Sequence, residues 1–202
     1  MKLRKPLYFL MCLSSVAIAA YAVVAYAAFP LGSLVHPDMR TNFEQHRAIV
    51  YTHIFASCLA LLIGPFQFST QLRAIFPIWH RRLGKIYLCL GVLLGGVSGL
   101  VMANTAYGGI ASNLGFGILA LLWLYTGLSA YRSIRIGDIN AHQRWMIRNF
   151  ALSLAALSLR IYLPLILIFG LSFSFWYPII SWLCWVPNLI IAEWLFNRSL
   201  SD

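Results

Sequence analysis

The sequence predicts an all-α fold, a polytopic transmembrane helical bundle of about six spans with both termini cytoplasmic. Three observations carry this reading. Of 202 residues, 61% are hydrophobic and only 10% charged, whereas soluble domains carry roughly 25% charged residues. Six apolar windows, at about 7–28, 48–68, 84–104, 112–132, 147–169 and 174–196, each approach or exceed the roughly 20 residues that cross a hydrocarbon core. The charges, finally, collect at the window ends on one side. The windows fill residues 1–202 as a single integral membrane domain and leave no room for a separate soluble one.

Taken in order, the first span follows Lys2, Arg4 and Lys5 and ends near Ala25-Tyr26-Ala27. That pattern resembles a secretory signal, but the apolar stretch exceeds a usual signal core, so an uncleaved span is expected. The outward loop from Pro30 to Arg47 is the longest and holds His36, Asp38, Arg40, Glu44 and His46. Span two carries His53. A basic loop, Gln71 to Lys85, leads to span three, where Gly91, Gly95 and Gly99 put small residues on one face and allow a neighbouring backbone close. Asn104 to Ser112 is an uncharged outward loop before span four, and Tyr131 to Arg148 is a second basic loop before span five. A turn near Gly170 precedes span six. Trp79, Trp145, Trp176 and Trp194 fall at the expected boundaries, as belt residues do, with Trp182 and Trp185 deeper.

Twelve of the fifteen Lys and Arg flank the spans on the side of the termini; Arg40 and Arg47 lie opposite, and Arg160 lies within a span. The positive-inside rule therefore places the termini in the cytoplasm, with the chain multi-pass in a cytoplasmic (inner) membrane. The net charge of +10 then reports topology and attraction to anionic membrane lipids, and no nucleic acid is expected. Cys12, Cys58, Cys89 and Cys184 all fall within spans without a C-x-x-C pair and read as packing residues.

Arg160, in Leu159-Arg160-Ile161-Tyr162-Leu163-Pro164, is the strongest functional signal. A guanidinium stays charged, and its burial in a bilayer costs several kcal/mol, of the order of 3 by the lower scale. Pro164 cannot donate to the Arg160 carbonyl, so a kink is expected there. Counting along the helices puts Arg160 about 21 Å into a core of about 30 Å, at a depth similar to His53. A pocket open outward would hold both, with His46, Glu44 and Tyr162 at its wall or rim. It would suit an anionic or carbonyl-bearing ligand such as a quinone head, a haem propionate or a lipid phosphate. The plain alternative is an arginine that holds helices through backbone carbonyls and snorkels to lipid phosphate.

On the basic side, His80-Arg81-Arg82-Leu83-Gly84 and His142-Gln143-Arg144-Trp145-Met146 echo one another at the starts of spans three and five. His80 and His142, from two helices, could ligate one haem b iron, with Arg144 beside the propionates. The plain alternative is a pair of interfacial helix caps. His46 and His53 share span two, so they cannot clamp one iron between two helices. There is no Walker A loop, no His-Glu-x-x-His and no Gly-x-Ser-x-Gly. The five acids are Asp38, Glu44, Asp138, Glu193 and Asp202, none at mid-membrane, which argues against a carboxylate proton relay or cation-coupled transport.

Several phrases together resemble a bacterial family of six-helix membrane proteins catalogued as domain of unknown function 2306. They are His53 with Leu61-Leu62-Ile63-Gly64-Pro65-Phe66-Gln67-Phe68, the stretch from His80 to Tyr87, Leu121 to Tyr125, Gly137-Asp138-Ile139, His142 to Arg148, and Leu159 to Pro164. The resemblance covers about residues 45–170. It implies the six-helix fold and a recurring set that includes His53, His80, Arg82, Gly84, Tyr87, His142, Arg144, Trp145, Arg148 and Arg160, but no reaction. The expected function is a membrane protein of redox or respiratory type that binds haem or quinone through the histidines and Arg160. The alternatives are a scaffold or assembly factor, held to a membrane-protein partner or to a second copy through Gly91, Gly95, Gly99 and span six, and a small-anion or lipid-binding protein.

Overall fold

The computed structural model describes residues 5–194 and is helical throughout its regular structure. Six helical stretches are long and apolar enough to cross a membrane: Lys5–Ala28, Arg47–Gln67, Pro77–Ala103, Ile110–Arg135, Ile139–Ile168 and Phe173–Ala192. Among the described residues they are built from nine α-helices and one π-helical segment. Helix α1 (Lys5–Ala28) and α3 (Arg47–Gln67) are the first two spans, and α7 (Ile110–Arg135) is the fourth. Span three comprises α5 (Pro77–Ile86), a π-helical segment (Tyr87–Leu93) and α6 (Leu94–Ala103). Span five divides into α8 (Ile139–Ser153) and α9 (Ala155–Ile168), and span six into α10 (Phe173–Leu183) and α11 (Val186–Ala192). Two short helices lie outside the spans, α2 (Pro37–Gln45) and α4 (Thr70–Ile75).

Consecutive spans one to five are neighbours; span six packs on α7, α8 and α9, and α1 closes the bundle against α9. The side chains α1 buries are all small, Ser15, Ala19, Ala22 and Ala25, so its backbone lies close to α3, and the Cys58 thiol reaches the Ala19 carbonyl at 3.8 Å. The glycine stripe of span three works in the same way. A Cβ on Gly91 would lie 3.0 Å from Ala60 Cβ and 3.2 Å from Ala60 Cα, which leaves no room for one.

Local chemistry sets the breaks. Asp138 caps α8 by accepting from the Ala141 amide at 2.8 Å, Ser69 caps α4 by accepting from Leu72 at 3.1 Å, and Pro77 opens α5 at a position that lacks a helical partner anyway. Span five is interrupted at Leu154, while α9 continues through Pro164 to Ile168. Pro164, where a kink is expected, thus lies inside α9, and the helix boundary falls ten residues earlier. Ser153 bonds back to the Asn149 carbonyl at 3.1 Å, a local competitor of the helix ladder that bends helices. In span six the break falls at Cys184 and Trp185, just before Pro187.

The long loop between spans one and two is more ordered than its sequence suggests. Its centre is α2, with His36 at the N-cap and Pro37 in the first turn. Asn42 donates from Nδ2 to the Thr105 carbonyl at 2.6 Å, and Arg40 Nε to the Gly32 carbonyl at 3.3 Å. The His36 ring stacks on Phe173 at 3.8 Å and 3°, beside Tyr107 and Tyr177. The loops after spans one, three and five therefore form one cover. Within it the Asp38 carboxylate accepts a bond from Tyr107 and raises that phenol above its ordinary range.

Candidate functional site

His53 sits on α3 about two turns below the cover, half-buried against span three. Its Nδ1 meets the Gly95 carbonyl at 2.8 Å. A carbonyl only accepts, so Nδ1 carries the proton and Nε2 keeps a free lone pair. The glycine stripe makes this seat: a Cβ on Gly99 would lie 2.9 Å from His53 Cε1 and 3.0 Å from Nδ1. Gly95 supplies the acceptor and Gly99 the space.

Arg160 approaches from α9. Its charge acts on His53, on Cys58 of α3 and on Tyr26 of α1, which puts these residues in its electrostatic neighbourhood. One terminal nitrogen donates to the Ala156 carbonyl of its own helix at 3.0 Å, and the guanidinium lies over the Tyr21 ring, 5.8 Å from its centroid. Nε is buried and has no hydrogen-bond partner. A buried donor left unpaired costs about 1–3 kcal/mol. Tyr26 in turn acts on Tyr177 of the ring cluster beneath the cover.

The other candidates at this end of the bundle lie apart. His46 closes the corner between α2 and α3, its Nδ1 donating to the Asn42 carbonyl at 3.0 Å. Glu44 is exposed on α2. Tyr162 is half-buried two residues past Arg160, about 200° round the helix, and so faces elsewhere.

On the basic face, His80 opens α5 and His142 opens α8, near enough for each to feel the other's charge. His142 Nδ1 meets the Ala130 carbonyl at 2.8 Å, which again leaves Nε2 free, whereas His80 Nδ1 is buried without a partner. Arg144, half-buried on α8, joins no hydrogen bond or ion pair with the described residues. Among the described residues, no three of His, Cys, Asp and Glu converge to hold a bare metal ion.

Between these two regions lies a polar network that the sequence reading missed. Asn149, wholly buried, accepts from Tyr87 Oη at 2.6 Å and donates to the Trp123 carbonyl at 2.7 Å and to Thr126 Oγ1 at 2.9 Å. Ser153 Oγ accepts from Trp123 Nε1 at 2.9 Å. The network ties spans three, four and five with every member bonded. An asparagine four residues before a serine inside an apolar window was the signal for it. Nearer the basic face, Arg148 pairs with Glu193 through two nitrogens and stacks 4.5 Å from the Trp145 ring centroid, which gives the acid of span six a partner on span five.

A family model described as "predicted membrane protein (DUF2306)" matches residues 50–196. The match runs past the motifs between 45 and 170 and takes in span six. No curated protein and no solved structure matches the chain.

Proposed function

The chain belongs to the DUF2306 family of membrane proteins, and we propose that it is a redox-type membrane protein that binds a quinone head group between His53 and Arg160. The observation behind this reading is the buried, unpartnered Arg160 Nε beside a histidine whose Nδ1 is already committed. In this reading the one donor and the one acceptor are offered to a ligand between them. A quinone carbonyl accepts from Arg160 Nε–H; a quinol hydroxyl donates to His53 Nε2, which can take its proton. Tyr21 and Tyr26 supply ring faces. A haem fits this place less well, because His46 is spent on the α2–α3 corner and His53 is the only imidazole left there. The haem reading belongs instead to His80 and His142, and an absorption spectrum of the same sample reports on it. In this proposal the chain lies in a cytoplasmic membrane with its basic face inward, so the quinone site opens outward.

The test is binding of a short-tail benzoquinone to detergent-purified protein, followed by tryptophan quenching and by extraction of any carried quinone. Arg160→Lys keeps the charge but removes the Nε–H donor, and His53→Gln removes the proton acceptor. Each should weaken binding at least tenfold while leaving the helical spectrum intact. Undiminished affinity in both variants would sink the proposal. Retained helicity with no quinone bound by the parent protein would do the same, and would leave the scaffold reading to be tested by a co-purifying partner.

A further inference from the structure

A second set of unpaired polar atoms lies at the basic face, apart from His53 and Arg160. Gln67 ends α3 at 6% exposure, and its Nε2 has no hydrogen-bond partner. His80 Nδ1 is buried and likewise unpartnered. Gly84 connects the two: it lies one turn beyond His80 on α5, and a Cβ built on it would be 3.4 Å from Gln67 Oε1. Gln67 and His80 therefore address the same side of α5. The charges of Arg73 on α4, Arg81 on α5 and His142 on α8 all act on His80. His142 presents Nε2, because its Nδ1 is bound to Ala130. The neighbouring carboxylate, Asp138, is engaged in capping α8.

The chemistry of this set is weighted toward donors, with Gln67 Oε1 and an unprotonated His142 Nε2 as its acceptors. The Gln67 amide nitrogen and both guanidiniums only donate, and each imidazole donates from both nitrogens once protonated. A water molecule would satisfy one donor but would leave the positive charge uncompensated. A divalent cation would be repelled. An anion rich in acceptor oxygens satisfies both demands, and charge-assisted bonds to such an anion are the strong ones. The depth is that of lipid head groups, with Trp79 exposed one residue before His80 and Arg82 stacked 5.8 Å from the Trp79 ring centroid.

We propose that Gln67, His80 and His142, backed by Arg73 and Arg81, form a phosphate-binding site at the basic face, filled by an anionic phospholipid head group or by free phosphate. The experiment uses full-length protein labelled with 15N at histidine, delipidated in neutral detergent, with ring signals assigned from His80→Gln and His142→Gln. Inorganic phosphate is titrated in one arm. In the other, nanodiscs of phosphatidylcholine are compared with nanodiscs that also contain phosphatidylglycerol. The His80 and His142 signals should move while His53 stays still, and Gln67→Leu should weaken the response about tenfold. Arg73→Gln with Arg81→Gln changes only the outer shell and should weaken it similarly, which guards against misfolding of the Gln67 variant. Response to phosphate alone supports the site with free phosphate as its source; response only to phosphatidylglycerol supports it with the lipid as its source. Still histidines in both arms would overturn the proposal, as would an undiminished response in both variants. A Soret band lost in His142→Gln would overturn it too, by assigning the imidazoles to haem. None of these outcomes depends on quinone binding at Arg160.

Discussion

Replacing Asn149 by Leu removes the centre of the buried network. Asn149 makes three side-chain bonds across helices, to Tyr87, Trp123 and Thr126. Interhelical bonds in membranes average about 0.6 kcal/mol, so three give about 2 kcal/mol. The Tyr87 hydroxyl would keep only its 3.3 Å contact with Ser153, and stranding a buried hydroxyl adds a cost of about 1 kcal/mol or more. A loss of about 2–4 kcal/mol is therefore expected, measured by reversible unfolding in mixed micelles and followed by circular dichroism. Leucine also differs in shape, so the single variant cannot separate bonding from packing. A cycle with Tyr87→Phe does separate them. The double variant should be more stable than the sum of the singles implies, by about 1 kcal/mol, because the phenylalanine strands nothing. Additivity to within about 0.3 kcal/mol would mean that the Tyr87–Asn149 bond contributes no coupling, and the argument from satisfied polar groups would fail with it.

Three further outcomes follow from the same geometry. Gly99→Ala should tilt the His53 ring away from Gly95 and lower quinone affinity several-fold, whereas Gly91→Ala should cost about 1–3 kcal/mol of stability by forcing two backbones apart; equal affinity in Gly99→Ala and the parent would refute the seat. Glu193→Gln should change stability by no more than about 1 kcal/mol, since the pair lies at the boundary and Arg148 keeps its Trp145 stack; a loss of several kcal/mol in mixed-micelle unfolding would contradict this. His36→Ala removes a ring stack worth about 0.5–1.5 kcal/mol, so amide exchange across Pro37–Gln45 should speed up while that of α3 stays unchanged, and uniform protection would show that the stack does not hold the cover.

The span positions were legible because a bilayer makes one demand on every window, apolar length, and composition reports it directly. Arg160 was legible for the same reason, since a fixed charge in apolar text stands out. A depth shared with His53 is what counting rise per residue along the helices leads one to expect, and the charge of Arg160 does act on His53. Lateral order was not legible: the seat of His53 on Gly95 and Gly99 depends on which face of span three meets span two, and the π-helical turn at Tyr87–Leu93 shifts that face partway along. The α2 cover was hidden because nine residues with a strongly polar text read as a loop until Phe173 and Thr105, remote in sequence, are brought beside them. Asn149 was overlooked for a different reason. An uncharged polar residue scarcely lowers the hydropathy of its window, although unpaired in the bundle it would cost more than its hydropathy suggests.

The polar atoms of the bundle fall into bonded sets and unpaired ones, the unpaired ones including atoms of Ser15, Ser112, Asn113 and Trp185 as well as those of the two candidate sites. At the middle of the bundle, Tyr87, Trp123, Thr126, Asn149 and Ser153 bond one another. A closed set of that kind fixes helix register and has nothing left to offer a ligand. Above it, Arg160 Nε is buried and unpaired beside His53, and below it Gln67 Nε2 and His80 Nδ1 are buried and unpaired beside two arginines. Because these atoms are unpaired, replacing them by apolar groups of similar shape should be neutral or favourable for the fold, since each change removes a desolvation cost that no bond offsets. Gln67→Leu and Arg160→Met should accordingly raise the unfolding midpoint in ligand-free detergent while abolishing the binding each site supports. Opposite signs for stability and binding are the mark of a site maintained at the expense of the fold. A fall in both would return these residues to structure, with Arg160 as a helix tie and Gln67 as a cap.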